Sequence, residues 1–315
     1  MSNPDSLTVA ETAPTQDPVK PDGGDAPRAT SLTGDAFRSM FKRPLFWITA
    51  GVLLLFVVMA IVPELFTSKN PNDCSLLRTK QLPSSEAIFG YDVRGCDVYA
   101  RTIHGARASI LVGTLTSIGV LSIGVTLGAI AGFYRKFADT LISRLGEIFA
   151  GIPVLLAGLL VLVSFPTTPQ TPYFLTILKV VVALALFGWP GLMRMMRSTV
   201  LQVAQMDYVQ SARALGASGW RMMLKHVIPN AIGPVIVIAT INLGVYIAAE
   251  ATLSFLGIGL QGKVVSWGIM ISDSQSYMRV APHMMLFPAA ALSLCVFSFI
   301  VLGDIVRDAF DPKSR

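Results

Sequence analysis

Six apolar segments, each about long enough to cross a bilayer, constrain this chain more than any other feature. They run from Leu45 to about Phe66, Ser109 to Tyr134, Asp139 to Phe165, Tyr173 to Met193, Ala231 to Phe255 and His283 to Val306. A helical crossing needs about 20 mostly apolar residues. Lipid offers backbone N–H and C=O groups no partner, so each crossing is expected to be a helix. Only 14% of the residues are charged, against about 25% in a soluble domain, which leaves too little polar surface to cover a water-facing globule. The net charge of +6 does not point to nucleic acid. Basic residues at the ends of crossings set orientation, and no basic stripe with interleaved aromatics is present.

With the N-terminus inside, sixteen of the 25 Lys and Arg fall on the inner side, eight on the outer side, and Lys179 within a span. The excess predicts that both termini are cytoplasmic. Residues 1–34 carry Pro4, Pro14, Pro18, Pro21 and Pro27 among Asp, Gly, Ser and Thr, with no apolar core; they read as a disordered cytoplasmic tail. Residues 35–108 then hold the first crossing and an outer loop, and 109–315 the core bundle. Gly113, Gly119, Gly124, Gly128 and Gly132 punctuate the second span and are expected to let helices approach closely.

The stretch between the fourth and fifth spans, residues 207–226, is the most informative. Asp207 is placed to cap a short helix through Tyr208, Gln210, Ser211, Ala212, Arg213 and Ala214 to Leu215. Gly216 suits the left-handed residue that ends it, before Ala217. Ser218 can cap a second helix, in which Trp220, Met223, Leu224 and Val227 share a face at spacings of three and four. Pro229 breaks the pattern ahead of the fifth span. Physics alone leaves two readings open: small residues that seat in a partner's groove, or an amphipathic connector lying in the lipid interface.

This segment resembles the coupling-helix signature of ABC importer permeases, in which Glu-Ala-Ala is followed four residues later by Gly and then by an Ile-x-Leu-Pro ending. Here Gln210-Ser211-Ala212, Gly216 and Val227-Ile228-Pro229 occupy those places. Three further stretches resemble the C-type permeases of dipeptide, oligopeptide and nickel importers: Gly95 to Arg101 with Gly105 to Ser109, Glu250 to Gly259 with Ser266-Trp267-Gly268, and Leu302 to Pro312. Cys96 stands where those permeases usually have Arg. The resemblance covers roughly residues 35–315. It implies an all-α polytopic membrane protein with six transmembrane helices of the type I ABC importer permease fold, in a bacterial inner membrane. It also implies partners: a second homologous permease, two ATPase subunits or one fused ATPase seated on residues 207–217, and an extracytoplasmic substrate-binding protein. ATP and Mg are then used by the ATPases, because this chain has no Gly-x-x-x-x-Gly-Lys-[Ser/Thr] loop and is expected to bind no cofactor. The loop between Gly257 and Pro282 is the expected seat of the binding protein, with Trp267 in it.

Other residues carry two readings each. Glu250 falls within the fifth span, either on the cargo path or as a hydrogen-bond hub. Arg144 stands three residues before Glu147 as a helix-face partner, and Lys179 can snorkel to the outer interface. Cys74 and Cys96 in the outer loop either form a disulfide or remain free thiols, and Cys295 reads as a buried apolar residue. No metal site is expected, since two cysteines and His104 do not complete one.

The leading function is therefore a peptide importer permease, for dipeptides or oligopeptides, working by alternating access and performing no covalent chemistry itself. Nickel complexes are the alternative cargo, raised by Met193, Met195, Met196, Met284 and Met285. A secondary transporter would want inverted repeats and paired charges near the midplane. An intramembrane enzyme would need a nucleophile beside a base, and His104, His226 and His283 are scattered.

Overall fold

The computed structural model describes residues 38–168 and 170–310; the tail expected at 1–34 lies outside the described residues. Among those residues no β-strand forms, only two isolated bridges, Cys74 with Cys96 and Tyr91 with Asp97. Five helices are long and apolar enough to cross a bilayer. In chain order they are α1 (Pro44–Ile61), α2 (Val98–Tyr134), α5 (Tyr173–Val203), α9 (Gly233–Phe255) and α11 (His283–Phe310).

Two helices outrun the spans read from hydropathy. α2 starts at Val98, not near Ser109, because Asp97 caps it by accepting from the Ala100 N–H at 3.1 Å. Its 37 residues rise about 55 Å, well beyond the roughly 30 Å hydrocarbon layer. α5 continues past Met193 to Val203, since its buried stripe of Met196, Val200 and Val203 keeps helical spacing among polar residues. These two helices form the central seam. A Cβ on Gly128 would sit 2.6 Å from the Met193 carbonyl and one on Gly132 2.8 Å from the Arg197 carbonyl, so the backbones meet where only glycine fits.

The third crossing is not straight. α3 (Lys136–Ala150) and α4 (Val154–Ser164) meet at 80° around Gly151–Pro153. Both halves nonetheless climb the same helix. Asp139 pairs with Arg197, Gly146 lies against Met193, and Gly158 against Leu184. The Lys179 ammonium then donates to the Pro166 carbonyl at 2.8 Å. From Arg197 to Lys179 is about 27 Å of helical rise, and the bent pair, taken as one span, is the sixth of the bundle.

α1 runs antiparallel to α2 and ends beneath Arg107, whose guanidinium donates to the Ala60 and Ile61 carbonyls at 2.8 and 2.9 Å. α9 packs against α11 through Gly244 and Gly303. Arg43, before α1, pairs with Asp308 on α11 at 2.9 Å, so both ends of the described chain lie at one end of the bundle. At the opposite end, residues 62–97 fold into a compact loop in which Cys74 and Cys96 are bonded, with Cα atoms 4.1 Å apart. Four short α-helices also occur among the described residues: α6 (Asp207–Ala214), α7 (Gly219–Met222), α8 (Ile228–Ala231) and α10 (Trp267–Ser274).

Candidate functional site

α6 and α7 sit at the end of the bundle away from the disulfide. Gly219 lies beside Phe133 and Tyr134 at the end of α2. α6 begins at Asp207 itself, with Met206 in the cap position and no side-chain cap. The expected N-cap role of Asp207 is thus corrected: one residue into the helix, its carboxylate faces the positive end of the dipole. α6 stops as the left-handed glycine predicts. Gly216 has φ +80, its N–H donates to the Arg213 carbonyl at 3.0 Å, and the Ala217 N–H reaches back to the Ala212 carbonyl at 3.1 Å. This pair of bonds is a Schellman motif. It turns the chain sharply into α7, which begins after Ser218 without a side-chain cap bond.

The face expected of the second helix is also corrected. Met222, Met223 and Val227 are buried, whereas Trp220 and Leu224 are exposed. A π turn over Met223–Val227 shifts the register just before Pro229, which cannot donate to the ladder and crowds the carbonyl four residues back. Pro229 then sits in the first turn of α8, so the helical path is widened rather than broken.

The segment is anchored by Val209, fully buried, and by Gln210, whose amide donates to the Ala204 carbonyl at 2.9 Å. Among the residues singled out from the sequence, Ala212 and Ala217 are half-buried; Asp207, Tyr208, Gln210, Ser211, Arg213, Ala214, Leu215 and Gly216 are exposed. Leu215 is 88% exposed and Trp220 58%. Phe133, Arg135, Gln205, Gln210 and Arg213 help line a depression of about 270 Å³ beside the helix. The bend thus presents an exposed apolar knuckle, with Arg213 and Arg221 also exposed, at the end of the bundle away from the disulfide.

Glu250 is fully buried on α9. Its carboxylate accepts from Ser109 on α2 at 3.0 Å, from Ser254 at 2.7 Å and from Ser266 at 3.1 Å. Ser254 in turn accepts from the Leu260 N–H, and Ser266 from the Ile269 N–H at the start of α10. The carboxylate is a hub that fastens the loop after α9 to the bundle, and within this chain it is fully enclosed. Trp267 is likewise wholly buried, stacked edge-on to Phe56 and donating to the Thr102 carbonyl, so it cannot touch a docked protein. Met193, Met196 and Met284 are buried packing residues, and no group of three or more His, Cys, Asp and Glu that could hold a metal occurs among the described residues. Arg144 and Glu147 pair on an exposed face of α3 at 2.7 Å.

Several residues that hold the site were not singled out from sequence. Val209 follows helical spacing from buried Val203 too loosely to stand out, and the Asp139–Arg197 fork joins residues that no local pattern links.

A model of binding-protein-dependent transport system inner membrane components matches residues 124–315. The chain belongs to that family. Curated relatives align along nearly its whole length. It is 34% identical to the dipeptide transport system permease protein DppC of Alkalihalophilus pseudofirmus, covering 96% of each chain. It is 33% identical to the oligopeptide transport system permease protein OppC of Bacillus subtilis, covering 95% of this chain and 97% of that one. It is also 33% identical to the glutathione transport system permease protein GsiD of Pectobacterium atrosepticum, covering 89% and 91%. Among solved structures, the MetNI methionine ABC transporter in inward-facing conformations aligns with a TM-score of 0.52 at 21% identity, covering 66% of this chain and 96% of that chain. That likeness shows the fold, a permease bundle that matches about two thirds of this chain.

Proposed function

We propose that this chain is one of two permease subunits of an ATP-driven importer of short peptides, and that α6 and the bend after it seat in an ATPase subunit. The observation that carries the reading is the knuckle itself: a short helix closed by a Schellman bend, anchored from behind by Val209 and Gln210, with Tyr208, Leu215 and Trp220 left to solvent. Exposed apolar side chains of this size, with Arg213 and Arg221 also exposed, are what a docking surface requires. The relatives named for dipeptides, oligopeptides and glutathione support a peptide cargo.

Orientation follows from redox chemistry. Disulfides persist outside the cytosol, so the Cys74–Cys96 end faces the oxidising side and the α6 end the cytoplasm, in line with the Lys and Arg excess. Both ends of the described chain then lie inside. ATP and Mg are used by two ATPase subunits, or one fused ATPase, bound at α6. A second permease completes the path, and an external binding protein delivers cargo to the disulfide end. Closure of the ATPases moves α6, and the packed seam of α2 with α5 carries that movement across the membrane. The chain itself makes and breaks no bond.

The test is uptake of a labelled dipeptide by vesicles holding the whole transporter. Leu215→Asp places a charge at the centre of the knuckle without touching the bundle. Peptide uptake is expected to fall at least tenfold while the chain inserts normally and the ATPases co-purify poorly. Uptake at the wild-type rate would remove α6 from the coupling.

A further inference from the structure

The disulfide end holds a feature that the coupling role does not use. A cavity of about 270 Å³ opens between the disulfide loop and the loop after α9. Its charged lining is Arg94, Arg101, Lys263 and Asp273. Asp273 is already paired with Arg94 at 3.0 Å. Arg101 is 97% buried by its 3% residual exposure. Its Nε lies 3.4 Å from an Asp92 oxygen, yet makes no hydrogen bond. A second depression shares Asn72, Lys263 and Val265 with the first and adds Arg107. Lys263 is exposed and makes no ion pair among the described residues. Two adjoining hollows thus converge on one ammonium without an ion pair among the described residues, backed by the buried Arg101 guanidinium.

We infer that this cavity binds a carboxylate, with Lys263 as the accessible charge and Arg101 as the fixed one. A carboxylate supplies the charge that Lys263 has no partner for, and it matches a guanidinium as a flat, forked partner. The site is concave and of a size for a small molecule, which favours a free carboxylate over a protein face. Resting on the importer reading, the anion is the C-terminal carboxylate of the arriving peptide, held at the mouth before it enters. The disulfide contributes directly, because an Arg101 nitrogen lies 3.5 Å from the Cys96 sulfur and the bond fixes the loop that carries Asp92.

The probe is para-fluorophenylalanyl-alanine and its C-terminal amide, each titrated onto the purified full chain in detergent and read by fluorine NMR line broadening. The free acid is expected to bind and the amide to bind at least tenfold more weakly. Lys263→Gln should weaken the acid about tenfold, and Lys263→Glu should abolish its binding, while neither changes the amide; Lys263 is exposed, so both variants should fold. Acid and amide binding alike, or Lys263→Gln binding the acid as wild type does, would overturn the inference. ATP-driven uptake by vesicles of the complete transporter separates the two readings. Carboxylate binding without any peptide uptake would sink the importer and leave the cavity a carboxylate site. Normal uptake without carboxylate binding would do the reverse.

Discussion

Truncating Glu250 to Ala would strand Ser109, Ser254 and Ser266 in the interior and leave a void where the carboxylate stood. Unsatisfied buried polar groups cost about 1–3 kcal/mol each, and serines can rotate to recover part of it. Glu250→Ala is therefore expected to lower stability by about 2–4 kcal/mol, read as an earlier loss of the monodisperse peak on heating before size-exclusion chromatography. Glu250→Gln should stay close to wild type, since each hydroxyl can turn to donate or accept. Equal damage from both would show that the negative charge, not the hydrogen bonding, is what the bundle needs. Gly216 makes a second residue-scale case. A Cβ there meets nothing within 4 Å, so the cost of Gly216→Ala is backbone alone, about 1 kcal/mol for a left-handed residue. Gly216→Pro cannot reach φ +80 at all and should abolish uptake, whereas Gly216→Ala should retain most of it.

At the scale of elements, the bent third crossing makes a topological claim. Phe137 at the foot of α3 is 80% exposed, and Thr168 follows α4 near the other end. With Phe137→Cys and Thr168→Cys, an impermeant maleimide added to intact or inverted vesicles should label the two from opposite sides. Labelling from one side would turn α3 and α4 into a re-entrant pair and leave five crossings. The fork between Asp139 and Arg197, with oxygens at 2.5 and 2.7 Å, holds α3 to α5. A double-mutant cycle over Asp139→Asn and Arg197→Gln should give a coupling of about 1 kcal/mol.

The existence of the crossings was legible because lipid demands long apolar runs, and hydropathy reports length and composition directly. Their ends were less so. Val98 to Ala108 and Arg194 to Val203 are helical through tertiary packing on amphipathic sequence, which an averaged hydropathy passes over. The 80° bend was invisible for the same reason, although Gly151 and Pro153 stood in plain view. In the site, Gly216 was readable because one conformation excludes other residues. The register past Trp220 was not, since the π turn depends on how Pro229 meets the bundle. Glu250 could be flagged as a buried acid, and Ser254 four residues on was a local partner, but Ser109 and Ser266 come from other elements that only the fold brings together.

For the whole molecule, the Cys74–Cys96 bond closes a loop with a sequence separation of 22, worth about 3 kcal/mol in a chain-entropy account. Replacing both cysteines by Ser should lower the thermal midpoint in detergent, and reducing agent should shift the wild type towards the variant while leaving the variant unmoved. Cys295, buried on α11, should stay unlabelled by maleimide under native conditions in both.

α2 crosses the entire assembly without interruption. Its first turn is capped in the disulfide loop by Asp97 and its last turn touches α7 through Phe133 and Tyr134. A continuous helix of this length is stiff along its axis, so its two ends share one set of states. Linkage then works in both directions. If a ligand at the disulfide end and a partner at α6 each favour one position of the rod, the factor by which the ligand changes the partner's affinity equals the factor by which the partner changes the ligand's. On the proposed function, a full mouth and an occupied knuckle would then be two readings of a single equilibrium.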